Sequence, residues 1–167
     1  MYGLRNINKI LQKHPNAGWY LVQYGTNDAN HFFPVPSGLG LNSGDPGYSG
    51  SFKDNMQKII NSINNSGKKV CLAKAPIASG NGSGPYQDPD QAPINNLIKE
   101  YNQVIDELVN NPQNNVVITP PDFYSYFNYQ DPVTGRYRYE DEYAEILHPN
   151  GVGYQSMANL WFTALTQ

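Results

Sequence analysis

Two short clusters in this 167-residue chain carry side chains of the type and spacing that acyl-transfer chemistry needs. The first is Gly25-Thr26-Asn27-Asp28, directly after the apolar run Trp19-Tyr20-Leu21-Val22-Gln23-Tyr24. A glycine at a strand end lets the backbone turn sharply. An asparagine just beyond it can aim a carboxamide N–H over the sheet edge, where it can stabilise an oxyanion. The same residue types are also common in ordinary strand-to-loop turns. The second cluster is Glu145-Ile146-Leu147-His148-Pro149-Asn150. An acid three positions before a histidine can orient the imidazole and stabilise its protonated form, the base-and-orienter half of a catalytic triad. The alternative is a loop histidine near a helix N-terminus, a place where the helix dipole disfavours an imidazolium. Asp141, seven positions before His148, is a weaker candidate for the acid.

The elements that must position these clusters follow from apolar periodicity. Residues 4–14 carry Leu4, Ile7, Ile10 and Leu11 at helical spacing and stop at Pro15. Residues 19–24 predict a buried strand. A helix starts at Ser51, with Asp54 as a loose capping-box partner and Phe52, Met56, Ile59, Ile60 and Ile63 as its stripe. Residues 69–75 predict a second strand. Residues 94–110 predict a helix with Ile94, Leu97, Ile98, Tyr101, Ile105 and Leu108 inward, and residues 115–119 a third strand ending at Pro120-Pro121. A short helix or turn follows at 122–129, then an irregular Tyr-rich loop at 130–147. The last helix, from about residue 150 to 165, is expected to present Tyr154, Met157, Ala158, Trp161, Phe162 and Leu165 on one face. Strands that alternate with amphipathic helices and read as continuous apolar runs predict an α/β fold with a parallel sheet covered on both faces. In such folds the site lies at the C-terminal strand ends. That places the rim at residues 25–50, 76–93 and 120–148.

Together the clusters resemble two blocks of the SGNH (GDSL) serine hydrolases. Residues 20–28 are similar to the block built on Gly-x-Asn-Asp after a strand. Residues 145–154 are similar to the block Asp-x-x-His-Pro-Asn followed by a Gly-Tyr helix start. The resemblance spans essentially the whole chain as a single SGNH hydrolase-like domain, residues 1–167. It implies a three-layer α/β/α flavodoxin-like fold and carboxylic-ester hydrolysis, as in esterases, lipases and carbohydrate deacetylases, without metal or organic cofactor. By resemblance Asn27 is the side-chain oxyanion donor, His148 the general base, Gly25 the residue that permits the turn, and Asp28 a residue that holds the loop.

Two departures stand out. Glu145 occupies the position usually held by aspartate. The family's Gly-Asp-Ser block and the following glycine of the oxyanion hole do not occur in the sequence. The helix at 4–14 resembles the one that follows that glycine, so the chain is expected to begin just downstream of it, with about 40 to 60 further residues preceding. Ser43-Gly44-Asp45 reverses the order of the block. Gly47-Tyr48-Ser49-Gly50-Ser51 is no Gly-x-Ser-x-Gly elbow, and Ser37, Ser79 and Ser83 sit in loops. The chain alone is therefore expected to be inactive. A catalytically inactive carbohydrate-binding protein is the alternative, motivated by Phe32, Phe33, Tyr86, Tyr124, Tyr126, Tyr137 and Tyr139 in the rim loops, which can stack on sugars or simply pack the loops. A third expectation is structural. Strand 19–24 would expose an apolar parallel edge and favour self-association.

Composition bounds the rest. At 39% hydrophobic and 15% charged residues, the chain is too apolar for disorder. A net charge of -3 offers neither a nucleic-acid face nor a polybasic membrane anchor. No apolar run approaches the roughly 20 residues of a membrane span. Expected partners are small-molecule or glycan esters. The lysine-poor, Asn- and Tyr-rich composition leans towards a secreted or periplasmic setting. Cys71, the lone cysteine, reads as a small buried hydrophobe. His14 reads as structural or exposed, and His31 as a loop residue that can line the pocket.

Overall fold

The computed structural model describes residues 2–30, 34–79, 93–117 and 119–166. His31, Phe32, Phe33, Ser83 and Tyr86 lie outside the described residues. In chain order the elements are α1 (Tyr2–Lys13), β1 (Trp19–Val22), α2 (Thr26–Asn30), α3 (Phe52–Asn65), β2 (Lys69–Leu72), α4 (Pro93–Asn110), a 3-10 turn (Pro112–Asn114), α5 (Phe123–Phe127), α6 (Arg138–Glu142) and α7 (Gly151–Thr166). β1 and β2 are parallel, with Trp19 opposite Lys69 and Val22 opposite Leu72.

Successive strand residues point to opposite faces, so burial reads out what covers each face. Val70, Cys71, Leu72 and Ala73 are all fully or almost fully buried. Both faces of β2 are therefore covered, as the α/β reading requires. β1 differs. Val22 is buried, but Trp19 is 41% and Leu21 47% exposed. Among the described residues β1 pairs only with β2, which leaves its other edge without a strand.

Among the described residues, which leave out Ile118, the third strand shows as two parallel bridges, Val70 with Val116 and Lys74 with Asp122. The sequence explains the interruption. Asn115 takes a left-handed conformation (φ 46°), and Pro120 and Pro121 have no N–H to offer a ladder. The segment still follows β2, because the Lys74 N–H donates to the Pro121 carbonyl (2.9 Å) and the Val117 N–H to the Val70 carbonyl (3.2 Å).

α3 behaves as its stripe predicts, with Phe52, Met56, Ile59, Ile60 and Ile63 at 0–1% exposure. Its cap is also as expected at Ser51, whose Oγ accepts from the Asp54 N–H (3.2 Å). The Asp54 carboxylate takes the Gly50 N–H (2.8 Å) and the Lys58 ammonium (2.6 Å) instead of closing a capping box. Two stripes need correction. In α1, Ile10 is 38% exposed. In α7, Tyr154 is 54% and Phe162 70% exposed, and the core is met by Met157, Leu160 and Trp161. α7 is apolar on more than one side, so periodicity does not choose its inner face. The small buried residues Gly153 and Ala164 choose it by allowing close approach. Trp161 then sets its ring edge-on to Phe123 at 5.6 Å.

Gly25 closes β1 with φ 128°, a conformation that strains any L side chain. A Cβ there would lie 3.3 Å from both Ala75 and the Tyr101 ring. Gly25→Ala is expected to destabilise the fold by about 1–3 kcal/mol. A chemical denaturation midpoint unchanged by this substitution would contradict the strain described.

Candidate active site

Each cluster is tied to chain that leaves the C-terminal end of a strand, Gly25 after β1 and the His148 loop through the extension of β2. Gly25 ends β1, and its carbonyl accepts from the Ala29 N–H (2.9 Å), turning the chain directly into α2. Asn27 lies in the first turn of α2, exposed, and its carboxamide has no partner among the described residues. Asp28 contributes its carbonyl to the loop, accepting from the Val35 N–H (3.3 Å) and the Tyr101 hydroxyl (3.4 Å). The Tyr101 hydroxyl also donates to the Val35 carbonyl, and its ring stacks on Phe52 at 4.3 Å. One α4 tyrosine thus fixes the whole turn, and burial pushes its hydroxyl far above the ordinary tyrosine range, first by desolvation and then by the nearby Asp28 and Glu100 charges.

The His148 loop is tied to the extension of β2. Residues 75–78 run on as extended chain whose N–H and C=O groups need partners. Two carboxamides of α4, two helical turns apart on one face, supply them. Asn102 takes both the N–H (2.7 Å) and the carbonyl (3.0 Å) of Ala75. Asn95 does the same for Ala78, at 2.8 and 2.9 Å. Ser79 follows, and its N–H (2.9 Å) and hydroxyl (3.2 Å) both donate to the Ile146 carbonyl. Tyr143 adds a bond from its hydroxyl to the Ile77 carbonyl (2.7 Å).

Residues 143–149 form a tight loop. Tyr143 bridges Pro149 in antiparallel fashion, and the Ala144 N–H donates to the His148 carbonyl (2.9 Å). Asn150 anchors the far side. Its N–H reaches the Glu142 carbonyl (2.8 Å), its Nδ2 the Asp141 carbonyl (2.8 Å), and its Oδ1 caps α7 by accepting from Val152 (2.9 Å) and Gly153 (3.1 Å). Gly153 packs so tightly there that a Cβ would overlap the Glu142 carbonyl. At the loop tip, Glu145 Oε1 contacts His148 Nδ1. His148 Nε2 has no partner among the described residues. The His148 side chain is 67% and that of Glu145 50% exposed.

Hydrogen bonding from His148 holds the Glu145 carboxyl below the usual carboxylate range. The sign follows from that direction. The pairing is fully present above the ordinary carboxylate range and is lost as pH falls through the lowered Glu145 value. Asp141 is engaged elsewhere, paired with Arg136 Nη2 at 2.8 Å.

The rim aromatics pack the loops. Tyr126 donates towards both Glu142 (3.1 Å) and Ser156 (2.9 Å), Tyr137 stacks on Tyr139 at 5.2 Å, and the Arg138 guanidinium lies over the Tyr126 and Tyr129 rings. Of the serines weighed above, Ser79 is a tether, Ser51 a helix cap, and Ser37 Oγ accepts from the Leu39 N–H. None of those among the described residues is hydrogen-bonded to His148. No cluster of three or more His, Cys, Asp or Glu gathers among the described residues, and no helix there is long and apolar enough to cross a membrane.

Sequence periodicity missed Asn95 and Asn102. Their signal was available: two asparagines in phase with the inward stripe Ile98, Tyr101 and Ile105, where an unpaired carboxamide would be costly.

A parallel sheet whose central strand is covered on both faces, an exposed acid–imidazole pair and a carboxamide unpartnered among the described residues characterise an α/β protein with polar groups of the kind that acyl transfer uses. The chain matches the family of GDSL-like Lipase/Acylhydrolase proteins over residues 3–161 and belongs to that family. No curated protein and no solved structure matches it.

Proposed function

We propose that the protein is a carboxylic-ester hydrolase in which His148 Nε2 is the general base, Glu145 orients and charges the imidazole, and the Asn27 carboxamide binds the oxyanion. The observation that carries this reading is the pairing of His148 Nδ1 with Glu145, with Nε2 unpartnered among the described residues. A serine hydroxyl attacks the ester carbonyl and passes its proton to Nε2. The tetrahedral oxyanion accepts from Asn27, and the imidazolium returns the proton to the leaving alcohol. Water repeats the cycle on the acyl-enzyme.

The serine is proposed to come from chain preceding Met1. The edge of β1 that pairs with no strand among the described residues is the proposed place for a further parallel strand, whose C-terminal end would lie next to Gly25 and Asn27. The same edge would otherwise pair with a second copy. A fluorophosphonate probe decides between the arrangements. The 167-residue chain is expected to remain unlabelled. A form extended upstream in its reading frame is expected to label at one serine, and to lose labelling when His148 is replaced. Labelling of the short chain at Ser43, Ser49 or Ser79 would overturn this placement. Esters of small alcohols or of glycans are the proposed substrates.

A further inference from the structure

We propose a second site, distinct from the hydrolytic end: a cleft between α3, the C-terminal turn of α4 and the loop 40–48 that binds a neutral saccharide chain. The cleft measures about 700 Å³ and shares no residue with the loops 25–28 and 143–149. That volume lies within the roughly 300–1,000 Å³ of small-ligand sites. The turn Pro112–Asn114 beneath it leads to Val116, which bridges Val70 near the start of β2, so the cleft faces away from the C-terminal strand ends.

The lining is unusual in its chemistry. Its two charges, Lys53 and Glu107, neutralise each other at 2.7 Å. What remains is dominated by carboxamides. Gln57 and Asn114 form the floor, donating to each other (2.6 and 3.2 Å), and Gln57 also donates to Asn61 Oδ1 (2.9 Å). The side chains of Asn42, Asn110 and Gln113 have no partner among the described residues. A carboxamide offers two N–H donors and a carbonyl acceptor, the complement of a hydroxyl that both donates and accepts. Several such groups around an uncharged cleft suit vicinal hydroxyls and disfavour an anion or a cation. Half-buried Tyr48 adds a ring at the rim, a surface for the C–H face of a pyranose.

The cleft is also built in advance. The Gly40 N–H (3.0 Å) donates to Glu107, and the Lys53 ammonium donates to the Leu41 carbonyl (2.6 Å). The Asn42 N–H (2.7 Å) donates to the Asp45 carboxylate, and the Tyr48 N–H (3.1 Å) to the Asp45 carbonyl. A loop fixed at both ends orders little further on binding, which lowers the entropic cost.

The test is titration of the 167-residue chain with cellotriose, maltotriose and mannotriose, followed by two-dimensional NMR of backbone and side-chain amides. At least one trisaccharide is expected to give saturable shifts of the Asn42, Gln57 and Asn110 side-chain signals, and the anionic trigalacturonate none. The Asn42→Ala/Asn110→Ala double variant, exposed at both positions, is expected to keep the wild-type melting temperature and bind about 10-fold more weakly. Retardation in a gel containing the matching soluble polysaccharide, relieved in the double variant, would assign a polymer as the source. Binding of the trisaccharide without retardation would assign free oligosaccharides. Absence of saturable shifts with all three sugars overturns the proposal, as do shifts confined to residues 25–28 and 143–149. Neither result bears on the fluorophosphonate experiment, which reads the other end of the sheet.

Discussion

Replacing His148 by alanine is expected to lower kcat/KM for p-nitrophenyl acetate by about 10³-fold or more in the form that carries the nucleophile. General-base catalysis alone is worth about 10²–10⁴-fold, and members of a triad act as a unit, so losing one removes most of their joint effect. The structure makes the experiment clean. The His148 side chain is largely exposed and Glu145 is its one polar contact among the described residues, so the melting temperature is expected to stay within error of wild type. Exogenous imidazole is expected to restore part of the rate, because the missing ring leaves an open space at the loop tip. Glu145→Gln is expected to be milder. It keeps an acceptor for Nδ1 but removes the anion that stabilises the imidazolium formed during attack. Wild-type turnover by His148→Ala would dismiss the base assignment, whatever the labelling results.

The second large effect is expected at Asn27. Losing one oxyanion donor costs about 10²–10³-fold in kcat, or about 2.7–4 kcal/mol of transition-state stabilisation. KM is expected to change little, because the carboxamide meets the oxyanion and not the planar ester. Asn27→Asp should be at least as severe, since it replaces a donor with a charge of the wrong sign. Asn27 is exposed and unpartnered among the described residues, so neither variant should lower stability. That contrast separates the oxyanion reading from an ordinary strand-end turn. A turn residue would cost folding stability and leave kcat alone. Steady-state kinetics paired with chemical denaturation reads both quantities on one preparation.

The two clusters and their order were legible in the sequence because the chemistry is local. Glu145 and His148 sit on one turn of chain, and Gly25 and Asn27 on another. The core stripe of α3 was equally plain, since its polar and apolar sides differ sharply. The weaker readings failed for identifiable reasons. α7 is apolar around most of its circumference, and its inner face is selected by Gly153 and Ala164, small residues that carry little hydrophobic signal. The third strand was legible from Val116-Val117-Ile118 as a segment running parallel to β2, and the left-handed Asn115 and the prolines at 120 and 121 limit its ladder on either side. The Asn95 and Asn102 brackets and the Ser79 tether depend on partners 17 to 67 positions away, which no local window contains. Spacing alone already ranked Asp141 below Glu145. Arg136 adds to that ranking by claiming Asp141.

Cys71 gives the sheet a built-in clock. It sits at the centre of β2, fully buried, and burial pushes its thiol up to about 11. At pH 8 only about one molecule in a thousand would present a thiolate even if a reagent could reach it. Modification of this lone thiol therefore waits for β2 to separate from its covering helices, and the labelling rate under native conditions counts those excursions directly. Because the open edge of β1 lies one strand away, anything that docks on that edge and steadies the sheet would slow the clock, with no dye, tag or engineered residue needed to see it.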